Sequence, residues 1–174
     1  IEFKQGYAKN EKTSLIVIDA PGLGEDIYKD PEYLEMCDKK LDNCDVILWI
    51  MTGRNRAVAL DQIYLQKLEK YHSKIVFGIN QVELIEPIEW NERINLPSKQ
   101  QLNNIEIIEE DRKEKIEKIV KNKIKICSYS AKKKYNLEEL FGLIIDNCPK
   151  KRKWVFDGLK NFHYTDFLPE EIRN

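Results

Sequence analysis

The sequence predicts an α/β protein with a mostly parallel sheet, because apolar segments of strand length alternate with amphipathic segments of helix length. Three of the apolar segments are rich in β-branched residues and end directly on polar side chains. They run over residues 14–22, 75–83 and 124–132. Parallel strands bring their carboxyl ends to one edge of a sheet, where such folds bind ligands. We therefore expect the three polar ends to meet at one site.

Length and composition suit a single domain with a substantial core, since the chain has 174 residues of which 42% are hydrophobic. Only 7 Gly and 6 Pro exclude a fibrous or disordered chain. The formal net charge of -1 gives no global field that would favour nucleic acid or a membrane. No apolar run is long enough to span a bilayer, and no signal peptide opens the chain. The cysteines lack metal-ligand spacing, so buried free thiols in a reducing cytoplasm are expected.

The first elements are predicted to form a hairpin. Residues 1–7 alternate in polarity, residues 10–12 suit a turn, and residues 14–19 form an apolar strand. A connection this short makes the two strands antiparallel neighbours. The second strand is also predicted to be a buried member of the parallel sheet, because it is β-branched and breaks at a Pro-Gly pair. A polar loop follows, and Pro31 suits the first turn of a helix.

The remaining elements alternate regularly between strand and helix. Strands are predicted over residues 45–51, 75–79 and 123–127. Helices are predicted over residues 56–71, 98–121 and 137–148, the last with Asn136 as its N-cap. The apolar face of the helix over 56–71 is predicted to comprise Val58, Leu60, Ile63, Tyr64, Leu65 and Leu68. Helices of this length between strands predict a sheet that is covered on both faces.

The segment after Pro149 differs in character from the rest of the chain. A basic cluster over residues 150–153 is followed by aromatic residues, which are Trp154, Phe156, Phe162, Tyr164 and Phe167. The simpler interpretation is a basic helix end followed by an aromatic segment that docks on the body of the domain. The alternative is a contact with RNA or a protein partner, although short basic clusters are common and nonspecific.

The polar ends of the three apolar segments carry motifs that resemble those of translation-factor-class GTPases. Residues 19–22 resemble Asp-x-x-Gly, residues 80–83 resemble Asn-Lys-x-Asp, and residues 130–132 are Ser-Ala-Lys, in the order found in that class. Residues 23–61 are similar to the Era-like group (the TrmE-Era-EngA-septin class). Within it they resemble the YfjP-type subgroup of bacterial "50S ribosome-binding GTPases", which also favours Asn-Gln in the second motif. The resemblance covers about residues 1–148 and implies a three-layer Ras-like P-loop GTPase fold with one antiparallel strand.

The first motif implies a metal and phosphate site. Asp19 would hold a magnesium ion, because hard cations prefer carboxylate oxygen. Gly22 would let its backbone N–H approach a terminal phosphate. Leu23 stands where other GTPases use glutamine to orient the attacking water, so the catalytic group is unknown here. Alone, the Asp-Ala-Pro-Gly sequence is more typical of a turn after a strand.

The second and third motifs imply a guanine site. Asn80 would tie the base-binding loop to its neighbours, and Gln81 would lay its aliphatic stem against the base. Glu83, in place of the usual aspartate, would accept hydrogen bonds from the two guanine N–H groups that adenine lacks. The segment over residues 130–132, Ser130, Ala131 and Lys132, would present backbone N–H groups to the guanine carbonyl and cover the base with the Lys132 stem. The alternative for residues 80–83 is a capped turn.

No Gly-x-x-x-x-Gly-Lys-Ser/Thr phosphate loop occurs in the sequence. The resemblance therefore predicts an N-terminally incomplete domain over residues 1–148, lacking the first strand, the phosphate loop and the first helix, followed by an extension over 149–174. Since that loop supplies most of the contacts to the triphosphate, we expect negligible GTP hydrolysis by this polypeptide alone. An exposed edge beside a missing strand would also allow self-association.

The resemblance implies a GTPase that binds GTP or GDP with Mg²⁺ and hydrolyses the terminal phosphate slowly, as a switch whose residues 19–30 change order between nucleotide states. It suggests a ribosome or RNA as partner, or a process at a membrane, without choosing between them. Two alternatives stay open. One is a catalytically inactive interaction module that kept the fold, and the other is an oligomerising scaffold of the septin kind.

Overall fold

The computed structural model describes residues 5–10, 13–20, 23, 28, 30–54 and 58–151. The chain divides into two compact units, and each is described by itself. One unit comprises residues 1–44 together with 149–174, and the other comprises residues 45–148. In the described part of the chain, no helix has both the length and the apolar character that crossing a bilayer requires.

The first unit contains a hairpin and a helix. Strand β1 (Gln5–Asn10) pairs with β2 (Thr13–Ile18) in antiparallel register, with Tyr7 opposite Ile16, as the sequence predicts. The strand over residues 14–19 was also predicted to be buried and parallel, and this part of the prediction is wrong. Its only described pairing is antiparallel, and Ile16, Val17 and Ile18 are all exposed. Helix α1 (Asp30–Leu41) begins one residue before Pro31, which lies in the first turn.

The second unit is built on a three-stranded parallel sheet. Its strands are β3 (Ile47–Thr52), β4 (Ile75–Asn80) and β7 (Ile126–Ser128), in the order β3-β4-β7. The central strand β4 is buried from Ile75 to Ile79, as expected of a β-branched strand covered on both faces. Strand β3 is less buried than β4, because Ile50 is exposed.

Three helices accompany this sheet, and their bounds are α2 (Ala59–Lys67), α3 (Lys99–Val120) and α4 (Leu137–Asn147). The prediction of one helix over 56–71 is wrong in extent, since α2 ends at Lys67 and a 3-10 helix runs over Glu69–Lys74. Its predicted apolar face is wrong in part. Val58, Tyr64, Leu65 and Leu68 are buried, whereas Leu60 and Ile63 are exposed.

Apolar cores lie on both faces of the parallel sheet. The larger core packs Phe77 and Ile79 of β4 with Ile105 and Ile116 of α3 and Leu65 of α2. The smaller core groups the other sheet face with α4, and its buried members are Cys127, Tyr129 and Leu140. Burial of these side chains from water holds the helices against the sheet and fixes the positions of the loops at its edges.

The segment between β4 and α3 is an insertion whose secondary structure was not predicted. A 3-10 helix (Val82–Leu84) follows β4 directly, and a two-stranded antiparallel hairpin of β5 (Trp90–Asn91) and β6 (Leu96–Pro97) follows it. Ser98 then caps α3, because its hydroxyl accepts a hydrogen bond from the backbone N–H of Gln101 at 3.1 Å.

Candidate functional site

The loops at the carboxyl edge of the parallel sheet are joined to one another by backbone hydrogen bonds. The N–H of Gly53, after β3, donates to the carbonyl of Asn80 at 2.8 Å. On the other side, the N–H of Tyr129, after β7, donates to the carbonyl of Ile79 at 2.8 Å. The parallel register of the strands therefore brings the second and third polar segments of the sequence together at one edge.

Asn80 links the two loops through its side chain. Its Oδ1 accepts from the backbone N–H of Gln81 at 2.8 Å and from that of Ala131 at 3.1 Å. An amide oxygen has two lone pairs, so the Oδ1 of Asn80 can accept both hydrogen bonds at once. The loop after β4 and the loop after β7 are thus fixed relative to each other by one side chain.

Gln81 and Glu83 differ sharply in exposure. Gln81 is exposed and adopts a left-handed backbone conformation with φ 63, which turns the chain into the 3-10 helix over 82–84. Glu83 is buried, with 5% of its surface exposed, and its Oε2 has no hydrogen-bond partner among the described residues. A carboxylate oxygen buried without a donor costs free energy, and such groups in native structures commonly await a ligand, a water or an ion.

Residues 130–132 combine a buried anchor with an exposed backbone. Ser130 is fully buried, and its Oγ accepts from the N–H of Lys133 at 2.9 Å. Its backbone exchanges two hydrogen bonds with Tyr135, at 3.0 and 3.1 Å, which closes the loop. Ala131 and Lys132 are exposed. The loop is therefore held from within, while its outer residues face solvent.

Gln101, in the first turn of α3, was missed by the sequence analysis. Its side chain is fully buried, and its Nε2 donates to the carbonyl of Glu83 at 3.2 Å and to that of Ile85 at 2.9 Å. A lone glutamine at the start of a charged helix gives no sequence signal of such a role. Only the tertiary structure shows that Gln101 forms hydrogen bonds to the loop that carries Glu83.

The β5–β6 hairpin contacts the other loop, and this contact was also missed. The rings of Trp90 and Tyr135 meet edge to face with centroids 5.3 Å apart. The amide of Asn95 donates to the carbonyl of Lys133 at 2.8 Å, and the ammonium group of Lys133 forms an ion pair with Glu92. The segment that follows the second motif thereby supports the loop of the third.

A buried polar group lies behind the loop after β3. The indole N–H of Trp49 donates to the carboxylate of Asp61 at 2.8 Å, and the guanidinium of Arg112 donates to the carbonyl of Thr52 at 3.0 Å. Burial raises the pKa of Asp61, while the bond from Trp49 and the charge of Arg112 oppose that rise. These side chains tie α2, α3 and the end of β3 together.

The first motif lies in the other unit of the chain. Asp19 is exposed and follows β2 directly, and Leu23 is partly buried. Gly22 lies outside the described residues. In the described part of the chain no group of three His, Cys, Asp or Glu side chains lies close enough to hold a metal ion. The magnesium role of Asp19 and the phosphate role of Gly22 stay predictions.

All four cysteines are free thiols. Cys37 and Cys127 are buried as predicted, whereas Cys44 and Cys148 are partly exposed. Burial raises the pKa of Cys127 to about 12, so its thiolate is scarcely populated at neutral pH.

Comparison with known proteins gives partial sequence matches. No protein-family model matches the chain. The uncharacterized protein YfjP of Escherichia coli (strain K12) is 30% identical over 91 residues, covering 51% of this chain and 32% of YfjP. GTPase Der of Legionella pneumophila (strain Lens) is 30% identical over 79 residues, covering 45% of this chain and 17% of Der. The chain thus spans about a third or less of the length of these relatives.

Solved structures give a broader match. Era of Aquifex aeolicus, bound to GDP.AlF4-, superimposes with a TM-score of 0.57 at 22% identity, covering 84% of this chain and 44% of that one. The elongation factor SelB of Methanococcus maripaludis, in complex with the GTP analogue GPPNHP, gives a TM-score of 0.53 at 18% identity, covering 84% and 28%. These likenesses confirm the predicted fold class, an α/β GTPase-type fold with mostly parallel strand pairing in its main sheet.

Proposed function

We propose that the chain is the base-binding part of a guanine-nucleotide switch protein of the Era-like class, in its YfjP-type subgroup. The observation that carries this proposal is the buried Oε2 of Glu83, which lacks a donor at the edge where Asn80 joins two loops. A guanine base offers two N–H groups to one carboxylate, whereas adenine does not. The residues present therefore fit a guanine base.

Each residue of the site has a part in this proposal. Glu83 accepts from the base, and Asn80 holds the two loops in register by accepting from the N–H of Ala131. The backbone N–H of the exposed residue Lys132 then donates to the guanine carbonyl. The stems of Gln81 and Lys132 cover the faces of the base. Buried charge-assisted hydrogen bonds of this type discriminate strongly, because a wrong base leaves the carboxylate unpaired.

GTP hydrolysis and switching would need a protein that also carries a phosphate-binding segment. In that protein Asp19 would hold Mg²⁺, which supplies charge stabilisation at the terminal phosphates, and Gly22 would leave its backbone N–H open to phosphate. Leu23 has no group with which to orient water. We expect this polypeptide alone to turn over GTP negligibly, and measurable turnover would contradict that expectation.

Base recognition is tested by titrating the ¹⁵N-labelled chain with GMP and with AMP, which requires no phosphate loop. We expect GMP to shift the amide signals of residues 81–83 and 130–132, and AMP to leave them in place. Glu83→Gln should abolish the preference, since an amide presents an N–H where the base also presents one. Glu86→Gln, an exposed neighbour, is the matched control. Equal responses to GMP and AMP would overturn the proposal.

A non-catalytic interaction module or an oligomeric scaffold is the second candidate. The observation that favours it is β3, which pairs only with β4 among the described residues and exposes Ile50. An edge strand with exposed apolar side chains is prone to pair with another chain. Light scattering with and without GMP distinguishes a nucleotide-dependent oligomer from a monomer. The ribosome or RNA partner implied by the resemblance stays a prediction.

A further inference from the structure

The side chain of Gln101 is polar and buried. The hydrogen bonds described for it go to a single loop, the one after β4. The side chain has no exposed surface and belongs to the first turn of α3. Both of its hydrogen bonds run to backbone carbonyls of the segment that follows β4, one at Glu83 and one at Ile85. Gln101 therefore binds the carbonyl of Glu83, the residue that we propose contacts the base, and the carbonyl of Ile85, which ends the same turn.

The position of Gln101 is itself fixed at both ends. Its backbone N–H donates to the capping hydroxyl of Ser98, and the Asn104 side chain, one turn further along α3, donates to the carbonyl of Glu86 at 2.7 Å. The start of α3 is thus joined to residues 83–86 at three carbonyls. A displacement of Gln101 would be transmitted to the backbone at Glu83 and Ile85 through one hydrogen bond each, without any contact between Gln101 and a ligand.

Packing alone does not account for a glutamine here. A buried amide must give up its bonds to water, and within the described part of the chain the Oε1 of Gln101 has no partner in return. Methionine or leucine would fill a similar volume without that cost. The residue is therefore explained by the two bonds that its Nε2 donates, both of which hold the loop of Glu83.

We propose that Gln101 is a positioning residue that sets the reach of the Glu83 carboxylate, and hence the selection of guanine over hypoxanthine. This inference rests on the proposed function. Glutamate carries one more methylene and one more rotatable bond than the aspartate usual at this position, so its carboxylate has more freedom to miss one of two donors. The hydrogen bonds from Gln101 fix the backbone at the carbonyls of Glu83 and Ile85, and this removes part of the freedom of the Glu83 carboxylate.

The 2-amino group distinguishes the two bases, because hypoxanthine lacks it and offers one N–H to the carboxylate instead of two. The test is therefore the ratio of the dissociation constants of IMP and GMP, measured by amide shifts of the labelled chain. A hydrogen bond to a charged acceptor contributes enough for a ratio of about 10 or more in the parent protein. Gln101→Met keeps the side-chain volume and removes both donors, and we expect it to lower the ratio at least threefold.

Two further variants separate positioning from mere support of the fold. Gln100→Met changes an exposed neighbour on the same helix turn and should leave the ratio unchanged. In a double-mutant cycle with Glu83→Asp, the effect of Gln101→Met on the ratio should shrink, because the shorter side chain has less freedom to be restrained. A structural role would weaken GMP and IMP binding equally and leave the ratio constant in every variant.

The outcomes are distinct. If the parent chain binds neither GMP nor IMP at residues 81–83 and 130–132, the proposed function fails and this inference fails with it. If the parent prefers GMP and Gln101→Met retains the same ratio while remaining folded by circular dichroism, only the positioning role is overturned. If Gln101→Met does not fold, the ratio of the dissociation constants is measured in Gln101→Leu, which also lacks the donors. The same ratio in Gln101→Glu, which loses the donors and repels the carbonyls, decides the same question.

Discussion

The side-chain oxygen of Asn80 accepts a hydrogen bond at 3.1 Å from the backbone N–H of Ala131, which lies 51 residues further along the chain. The same oxygen accepts from the N–H of Gln81. Two loops that belong to different strands are therefore set in register by one acceptor. The bond lies at the edge of the sheet where we propose that the base binds, so Asn80 has a structural role beside the proposed binding role.

Asn80→Ala should lower the free energy of unfolding and weaken GMP binding together. The substitution removes two hydrogen bonds to backbone N–H groups, each of which contributes about 0.5–1.5 kcal/mol. Urea unfolding and the GMP titration give the two quantities. Asn80→Asp keeps an oxygen acceptor at the same place and should lose less of both. Full stability and full affinity in Asn80→Ala would show that the bond is dispensable.

The course of the strands was predictable because their signals are local. Strand β4 is a β-branched run bounded by polar residues, and such a run can be buried only in the middle of a covered sheet. Helix α3 was equally clear, because a long, charged, amphipathic segment predicts it. The proximity of Asn80 to the loop after β7 then followed from the geometry of parallel strands.

The errors arise where tertiary contacts override a local preference. Asn136 occupies the N-cap position of α4, as predicted, but its backbone is left-handed with φ 54 and its side chain makes no cap bond. Its amide donates instead to the carbonyl of Ser128 at 3.0 Å. The β5–β6 hairpin and the grip of Gln101 rest on pairings across many residues, and no periodicity announces them.

Gly78→Ala should destabilise the protein, whereas Gly142→Ala should stabilise it. At Gly78, in the buried centre of β4, an added Cβ would lie 2.9 Å from the Tyr129 ring and 3.4 Å from Leu48. Overpacking of this kind costs about 1–3 kcal/mol. At Gly142, within α4, an added Cβ meets nothing within 4 Å, and alanine favours a helix over glycine by about 1 kcal/mol.

Chemical denaturation of these two variants measures both effects against the parent chain. The pair controls for the chemical change, since the same methyl group is added in each case. Equal stability of the two variants would mean that Tyr129 does not pack against β4 as described.

The cysteines should differ in their rate of alkylation. Cys127 is buried and its pKa is raised to about 12, and burial also raises the pKa of Cys37. Since the thiolate is the reactive form, neither Cys127 nor Cys37 should react with iodoacetamide in the folded protein at about pH 8. Cys44 and Cys148, which are partly exposed, should react first. Mass spectrometry of tryptic peptides over time gives the order, and four equal rates would contradict the described burial.

Removal of the Arg112 charge should give a stability loss that depends on pH. The guanidinium of Arg112 opposes the burial that raises the pKa of Asp61 above its ordinary value of 3.8. In Arg112→Met that pKa should rise further, because the charge of Arg112 is lost. Among the described side chains, the indole of Trp49 is then the remaining hydrogen-bond donor to the carboxylate. The folded state then binds a proton more readily than the unfolded state, so ionised Asp61 lowers stability at neutral pH.

This cost disappears as the pH falls through the raised pKa of the folded protein, since protonated Asp61 carries no charge to bury. We therefore expect Arg112→Met to lose about 1.5–3 kcal/mol at neutral pH, the usual contribution of a hydrogen bond from a charged group such as the one to Thr52, and less as the pH approaches 4. Urea unfolding of parent and variant over this range measures the difference. The double variant Arg112→Met/Asp61→Asn is the control, because it has no carboxylate to titrate. Its stability relative to the parent should vary less with pH, and a constant loss in the single variant would exclude Asp61 as the source.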